Sequence, residues 1–230
     1  MGRHSISKKR YLEVGQVFHW ATQEHYQLLL TGRSGRHSRT EKILPRLVKE
    51  KKLVARLHGR RLVYAVPRKG RSVKSRTFQF VEHGLACTEC LVRIWLSRTD
   101  GEIIAEKHFR KFKIIPEWGI RYPHQVLLLM EFSTEDNFNR YGLIRSKLAR
   151  YLQSLASIGK AFGCHSTIVL FVFDVKRESV ERFVRNYYPT GVPFFFTDYQ
   201  TFLKVPVRRQ ITAPIYIWED GNSYPLAKNN

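Results

Sequence analysis

The segment HQVLLLMEFST (residues 124–134) decides the fold of the second half of the chain. Its apolar run stops at Glu131, and a short uninterrupted apolar run is typical of a central strand that is buried on both faces. A second run, TIVLFVFD (167–174), predicts another buried strand. Residues 135–158, which lie between the two runs, carry apolar side chains at helical spacing. Strands that alternate with helices predict an α/β domain whose sheet is covered on both sides.

The same interpretation extends in both directions from this segment. Residues 77–97 place apolar side chains on a helical stripe, and residues 102–122 are rich in residues typical of strands, up to Pro116. A charged helix is predicted over residues 176–188, followed by the aromatic segment 193–203, which we interpret as a core strand.

The charge of the chain predicts its partner. The 230 residues include 40 Lys and Arg against 19 Asp and Glu, a net charge of +21. Residues 1–80 hold 20 of these cations and only 4 acids, so the basicity belongs mainly to the first third. A cationic surplus of this size favours a polyphosphate partner, and nucleic acid is the commonest.

The chain shows no targeting signal and no apolar stretch approaching 18 residues, so we expect no membrane association. Three cysteines are too few, and odd in number, for a secreted disulfide scaffold. We therefore expect a soluble protein of the reducing cytoplasm.

The first third predicts a winged helix-turn-helix. Residues 10–30 show near-helical apolar spacing interrupted at Gly15, and a basic helix follows a Gly/Ser/Arg turn. Pro45 removes one hydrogen bond of that basic helix, and we expect a kink there. Residues 52–66 form two β-rich runs on either side of a glycine, with arginines at the tip of the predicted hairpin. In such a unit the second helix of the motif enters the major groove and the hairpin wing follows the backbone.

The candidate DNA-binding residues are the cations and one histidine of the turn, helix, hairpin and following segment. They are Arg33, Arg36, His37, Arg39, Lys42, Arg46, Arg56, Arg60, Arg61, Lys69 and Arg71. The alternative for this third of the chain is a basic α+β module that binds RNA or ribosomes.

Composition predicts two domains and a linker. The segment PRKGRSVKSR is rich in Pro, Gly, Ser and cations and nearly without apolar side chains. We assign residues 1–68 to the winged-helix domain, 69–77 to a basic linker, and 78–230 to the α/β domain.

Two carboxylates stand at predicted strand ends. Glu117 follows Ile-Ile-Pro, and Glu131 ends an apolar run 14 residues later. Carboxylates at one edge of a sheet are suited to a hard divalent cation, Mg²⁺ or Mn²⁺, which activates water for phosphodiester cleavage. Lys147 and Tyr151 lie at i and i+4 of the next helix and so share one face, from which the lysine can stabilise a phosphate transition state. The alternative is that both acids are surface carboxylates paired with some of the 40 cations.

Several short motifs occur in a set order. They are Glu-His-Gly-Leu (82–85), Ile-Pro-Glu (115–117), Leu-Leu-Met-Glu-Phe (128–132) and Lys-Leu-x-x-Tyr (147–151). Together with the winged helix they resemble the replication-relaxation family of plasmid and mobile-element proteins. The second domain of that family is similar to the PD-(D/E)xK restriction-endonuclease fold.

This resemblance implies roles for six residues. Glu117 stands where the family has the Asp of its Pro-Asp motif, and Glu131 matches the second acid. Lys147 and Tyr151 match the lysine and tyrosine of the following helix. His83 and Glu89 match positions in the family's helix that precedes the sheet. The resemblance implies that Glu89 can complete the metal site formed by Glu117 and Glu131. The chain departs from the pattern by having Glu in place of Asp at position 117 and Ser133 in place of lysine.

Three other kinds of functional site are less favoured by the sequence: a zinc site, a nicking tyrosine and a phosphate-binding loop. His83, Cys87 and Cys90 have a spacing that can ligate zinc together with Cys164 or His165, but the same intervals describe one face of a helix, and we expect no zinc. A nicking tyrosine would need a histidine cluster that the sequence lacks. The segment 32–36 lacks the lysine of a phosphate-binding loop.

The sequence therefore predicts an α+β or α/β protein with an N-terminal winged helix-turn-helix and a restriction-endonuclease-like domain. We expect a DNA-binding protein of a mobile element that recognises double-stranded DNA and nicks or processes it in a metal-dependent reaction. Further candidate partners are replication or mobilisation proteins and a second copy of the chain in a homodimer. The alternative is a non-catalytic replication initiator or transcriptional regulator with a degenerate nuclease-like domain.

Overall fold

A computed structural model of the chain has a mixed α/β fold with two sheets. The structure describes residues 6–18, 20–32, 38–67, 78–97, 100–187, 194–204, 216–219 and 222–225. Contacts within the chain divide it into two compact units, Met1–Leu96 and Ser97–Asn230.

The N-terminal unit combines four helices with a small antiparallel sheet in the order β1-β3-β2. Its elements are α1 (Lys8–Val17), β1 (Ala21–Thr22), α2 (Gln23–Thr31), α3 (Ser38–Lys49), β2 (Val54–His58), β3 (Arg61–Ala65) and α4 (Phe78–Ser97).

Local capping explains where the first helices begin and end. The Ser7 hydroxyl accepts a hydrogen bond from the Arg10 N–H at the start of α1. Thr22 and His25 form a reciprocal capping box at the start of α2. Gly32 ends α2 with φ +67, a left-handed conformation that glycine adopts without a steric penalty.

One expectation for this part of the chain is corrected. The interruption of residues 10–30 does not fall at Gly15, which lies inside α1, but after residue 17, where β1 separates the two helices. Gly15 instead allows close packing, because a Cβ there would lie 2.5 Å from the Tyr26 hydroxyl oxygen. Pro45 lies inside α3, which continues to Lys49, and Leu44 and Leu47 on either side of it are fully buried.

The hairpin is confirmed as β2 and β3, whose register pairs Val54 with Ala65 and His58 with Arg61. Its turn residue Gly59 has φ +56, as a two-residue hairpin turn requires.

Helix α4 belongs to the N-terminal unit by its packing. Its Val81 joins a core cluster with Trp20, Val63 and Ala65, and the Thr88 hydroxyl donates to the Trp20 carbonyl at 2.6 Å. This differs from the domain division expected from composition, which placed the helix at the start of the second domain. Composition marks a polar stretch, but it does not show which core the next helix enters. The expected linker, 69–77, lies outside the described residues.

The C-terminal unit is built on a seven-stranded mixed sheet in the order β10-β9-β8-β7-β6-β5-β4. Its elements are β4 (Glu102–Ala105), β5 (Trp118–Tyr122), β6 (Val126–Ser133), α5 (Glu135–Phe138), α6 (Tyr141–Ala161), β7 (Ser166–Phe173), α7 (Arg177–Tyr187), β8 (Phe194–Asp198), α8 (Tyr199–Lys204), β9 (Tyr216–Glu219) and β10 (Asn222–Pro225).

The central strands are the apolar ones, as the sequence predicts. Strands β6, β7 and β8 are parallel and neighbouring. On one side β5 pairs antiparallel with β6 and β4 antiparallel with β5, and on the other side β9 pairs antiparallel with β8 and β10 antiparallel with β9. One face of the central strands packs against α6 and α7 through a core that includes Leu129, Phe171, Phe196 and Phe183. This position buries β6 and β7 on both faces, which explains their lack of polar alternation.

The expected strand over residues 102–122 is correct only at its ends. Between β4 and β5 the chain forms two short 3₁₀ turns, Glu106–His108 and Arg110–Phe112. Phe109 between them is fully buried, and Lys113 adopts φ +58, which reverses the chain. The apolar residues of this segment therefore fill the core from a turn and not from a strand.

Candidate functional site

Glu131 is a carboxylate at a core-facing position of β6. Its side chain is 2% exposed. Because side chains alternate along a strand, Glu131 shares its face of the sheet with Leu127 and Leu129, which belong to the core beneath α6. A buried acid at such a position needs partners.

Helix α6 supplies both partners. Lys147 Nζ forms an ion pair with Oε2 of Glu131, and the Tyr151 hydroxyl donates to Oε1 at 2.5 Å. The two donors lie one turn apart, so the i, i+4 spacing brings both to the same acid. Tyr151 is fully buried, and its ring packs edge-on against Phe171 at 5.8 Å between centroids.

Burial raises the pKa of Glu131 above its ordinary value, and the neighbouring Glu117 carboxylate raises it further, although Lys147 and Tyr151 oppose the shift. Burial and the same carboxylates also raise the pKa of the Tyr151 hydroxyl. Burial therefore disfavours the ionised forms of both Glu131 and Tyr151, despite the ion pair with Lys147.

Glu117 lies one residue before β5, the strand that pairs with β6. Its backbone N–H donates to the Met130 carbonyl at 2.9 Å, and Trp118 pairs with Met130 in the ladder. Glu117 and Trp118 are thus both held against Met130, and the Glu117 carboxylate is close enough to Glu131 to raise its pKa. Glu117 is half-buried, so its side chain is partly exposed to solvent.

Glu117 and Glu131 are the candidate ligands of a divalent cation at this site. Two carboxylates that repel each other across adjacent strands are stabilised by a shared cation, and oxygen ligands are those that Mg²⁺ and Mn²⁺ prefer. The position that the resemblance expects to hold a lysine on β6 is Ser133. Lys147 is the cation that contacts Glu131, and its side chain is 34% exposed.

The two other residues implied by the resemblance, His83 and Glu89, lie on α4 in the N-terminal unit. Both oxygens of Glu89 are hydrogen-bonded there, Oε2 by His25 Nε2 at 2.9 Å and Oε1 by Arg93 Nε. Burial opposes ionisation of Glu89, but these two partners outweigh it and lower its pKa to about 2. Nε2 of His83 lies 3.5 Å from Cys87 Sγ, one helical turn away.

The cysteines of the zinc alternative are free thiols buried in the protein. Cys90 is fully buried, and burial raises its pKa well above the ordinary range, which disfavours the thiolate form that binds zinc.

Part of the expected DNA-binding surface is described. Lys42 and Arg46 are exposed on α3, where Arg39 is half-buried, and Arg60 and Arg61 are exposed at the hairpin tip. Arg56 is half-buried on β2. The remaining candidates lie outside the described residues: Arg33, Arg36, His37, Lys69 and Arg71.

One acid lies among these cations. Glu50 is hydrogen-bonded by Lys8, by Arg46 Nε at 3.2 Å and by Lys52 Nζ at 3.0 Å. The hydrogen bonds from Lys8 and Lys52 lower the pKa of Glu50 to about 2. Arg46 is thus shared between this network and the surface.

Two histidine–carboxylate pairs and one apolar surface feature were not predicted from the sequence. His25 pairs with Glu89, and His58 pairs with Glu82 while its ring lies 4.2 Å from that of Phe78. The members of these pairs are 64 and 24 residues apart, so no local pattern connects them. The apolar feature is the exposed pair Leu57 and Leu62, which the alternation of the hairpin could have revealed.

No helix among the described residues is long and apolar enough to cross a membrane. Comparison of the chain with protein-family models, curated proteins and solved structures gives no match. The resemblance to the replication-relaxation family therefore rests on the short motifs quoted above.

Proposed function

We propose that this protein binds double-stranded DNA through its N-terminal unit and cleaves or nicks it in a metal-dependent reaction at Glu117 and Glu131, as part of the replication or mobilisation of a mobile element. The observation that carries the catalytic part is the buried Glu131, held by Lys147 and Tyr151 and coupled to Glu117. Buried carboxylates with raised pKa values are more frequent at functional sites than elsewhere.

The N-terminal unit supports DNA binding. Helices α1 to α3 followed by the β2–β3 hairpin are the elements that a winged helix-turn-helix requires. The exposed cations of α3 and of the hairpin tip supply phosphate contacts.

The C-terminal unit supports the nuclease-like interpretation. Strands β4, β5 and β6 form a meander, α6 crosses over, and β7 returns parallel to β6. This arrangement is compatible with the endonuclease-like domain that the resemblance implies. Within it Glu131 lies on β6, and Glu117 directly precedes the neighbouring strand β5.

Each residue of the site has its own role in the proposed reaction. Glu117 and Glu131 would hold Mg²⁺ or Mn²⁺, which supplies charge neutralisation and activation of water when bound. Lys147, whose ammonium group reaches from the surface to Glu131, stabilises negative charge on the scissile phosphate. Tyr151 donates to Oε1 and fixes the orientation of the Glu131 carboxylate.

Cleavage is tested on labelled supercoiled plasmid and oligonucleotides with Mn²⁺, Mg²⁺ or EDTA. We expect wild type to nick with metal, Glu131→Gln to be inactive while binding DNA, and the matched control Glu178→Gln, an exposed acid on α7, to cleave like wild type. Equal cleavage by wild type and Glu131→Gln would contradict the assignment. A second readout is thermal unfolding, in which Mn²⁺ should raise the Tm of wild type but not of Glu131→Gln.

DNA binding is tested by its salt dependence. Affinity falls with salt by about 0.9 log units per phosphate contact and per log unit of salt. Replacing Arg60 and Arg61 by Ala should therefore reduce the slope by up to about 1.8. Lys160→Ala, an exposed cation on α6, serves as the control and should leave the slope unchanged. A flat salt response of the wild type would exclude nucleic acid as the partner.

A second candidate function is a non-catalytic replication initiator or transcriptional regulator. Two observations favour it: both oxygens of Glu131 already have protein donors, and Ser133 stands where a lysine is expected. This candidate predicts DNA binding without metal-dependent nicking and no stabilisation by Mn²⁺.

A further inference from the structure

The tip of the hairpin carries two exposed leucines side by side. Leu57 on β2 and Leu62 on β3 are paired directly across the strands and are 69% and 46% exposed. Cross-strand partners have neighbouring side chains on one face of the hairpin. They therefore form one continuous apolar protrusion.

The pair contributes little to the core of the N-terminal unit. On the same face of β3, two residues further from the tip, Tyr64 is buried and its ring lies edge-on to Tyr26 at 6.4 Å between centroids. The apolar face of the hairpin is thus covered at its base and uncovered at its tip. Folding does not require large apolar side chains at the two uncovered positions.

The charge near the pair indicates what the tip meets. The described segment 51–67 contains five Lys and Arg and no Asp or Glu, while Glu82 of α4 pairs with His58 next to Leu57. Arg60 in the turn and Arg61 beside Leu62 are both exposed. An apolar protrusion flanked by exposed arginines is complementary to a polyanion that has apolar surface between its charges, which stacked bases between two phosphate backbones provide.

We propose that Leu57 and Leu62 act as a wedge that enters the minor groove of duplex DNA, partly unstacks a base step and bends the duplex, while the flanking arginines hold the adjacent phosphates. This inference rests on the proposed DNA binding and specifies its mode. Bending would open the duplex locally at the bound site.

The experiment uses the full chain and a duplex of about 30 base pairs, long enough for a measurable bend. End-to-end energy transfer reports the bend, and 2-aminopurine fluorescence reports unstacking. Wild type is compared with L57A/L62A and with Leu143→Ala, an exposed leucine on α6. Unfolding midpoints check that the variants fold, which the exposure of all three leucines leads us to expect.

We expect wild type and Leu143→Ala to bend the duplex and raise 2-aminopurine fluorescence. L57A/L62A should lose both signals and bind about tenfold more weakly, because each leucine loses its burial against the bases. Its salt slope should be unchanged, since no cation is removed.

Unchanged bending and affinity in L57A/L62A would overturn the wedge while leaving DNA binding intact. Failure of the wild type to bind DNA would overturn the proposed function itself. Loss of binding to vesicles of phosphatidylcholine and phosphatidylserine in L57A/L62A, without an effect on DNA, would also overturn the wedge and assign the leucines to an anionic membrane.

Discussion

Replacing Glu131 by Gln should make the stability of the protein less sensitive to pH above 4.5. Burial and Glu117 raise the pKa of Glu131 above its ordinary value of 4.5, against the opposing effect of Lys147 and Tyr151. A carboxyl group whose pKa is higher in the folded state contributes stability that is fully present below the unfolded pKa. That contribution is lost as the pH rises through the folded pKa.

The magnitude follows from linkage. Between the unfolded and the folded pKa, this one group lowers the free energy of unfolding by at most about 1.4 kcal/mol per pH unit. Gln cannot ionise. As the pH rises between the two pKa values, the free energy of unfolding of Glu131→Gln should therefore increase relative to that of wild type by up to about 1.4 kcal/mol per pH unit.

The assay is denaturant unfolding followed by circular dichroism at intervals from pH 4 to pH 8. Glu89→Gln is the control, because the pKa of Glu89 is lowered to about 2 and the residue is ionised in both states across most of this range. Its difference from wild type should be flat above about pH 6. A difference for Glu131→Gln that does not change with pH would refute the claim that burial governs this carboxylate.

Three further predictions concern stability. Glu89→Gln should cost at most about 3 kcal/mol near neutral pH, from a pKa lowered from 4.5 to about 2, and this cost should vanish as the pH falls toward 2 in an acid unfolding series. Gly119→Ala should destabilise by about 1–3 kcal/mol, because its Cβ would lie 2.7 Å from Phe109 Cζ, whereas Gly142→Ala, with no atom within 4 Å, should be neutral or stabilising in the same melts. Tyr151→Phe should cost about 1.5–3 kcal/mol at pH 8 by losing the hydrogen bond to Glu131, and an unchanged denaturation midpoint would contradict that role.

Much of the secondary structure can be predicted from the sequence because its signals are local. The apolar runs of β6 and β7, the helical stripe of α4 and the glycine of the β2–β3 turn each depend on neighbouring residues, and each element lies where the sequence predicts it. The prediction of a strand between β4 and β5 is wrong, because the apolar residues there fill the core from turns, and a pattern of apolar residues does not distinguish the two.

The candidate site also has some features that local sequence predicts and others that it does not. The spacing of Lys147 and Tyr151 is enough to predict that they share one face of α6. It does not show that both contact Glu131, because that depends on how α6 packs on β6. The pairing of Glu89 with His25, 64 residues away, likewise has no local signal that could predict it. Periodicity follows from backbone geometry and is written along the chain, whereas burial, ion pairs and shifted pKa values depend on residues that folding brings together from distant positions.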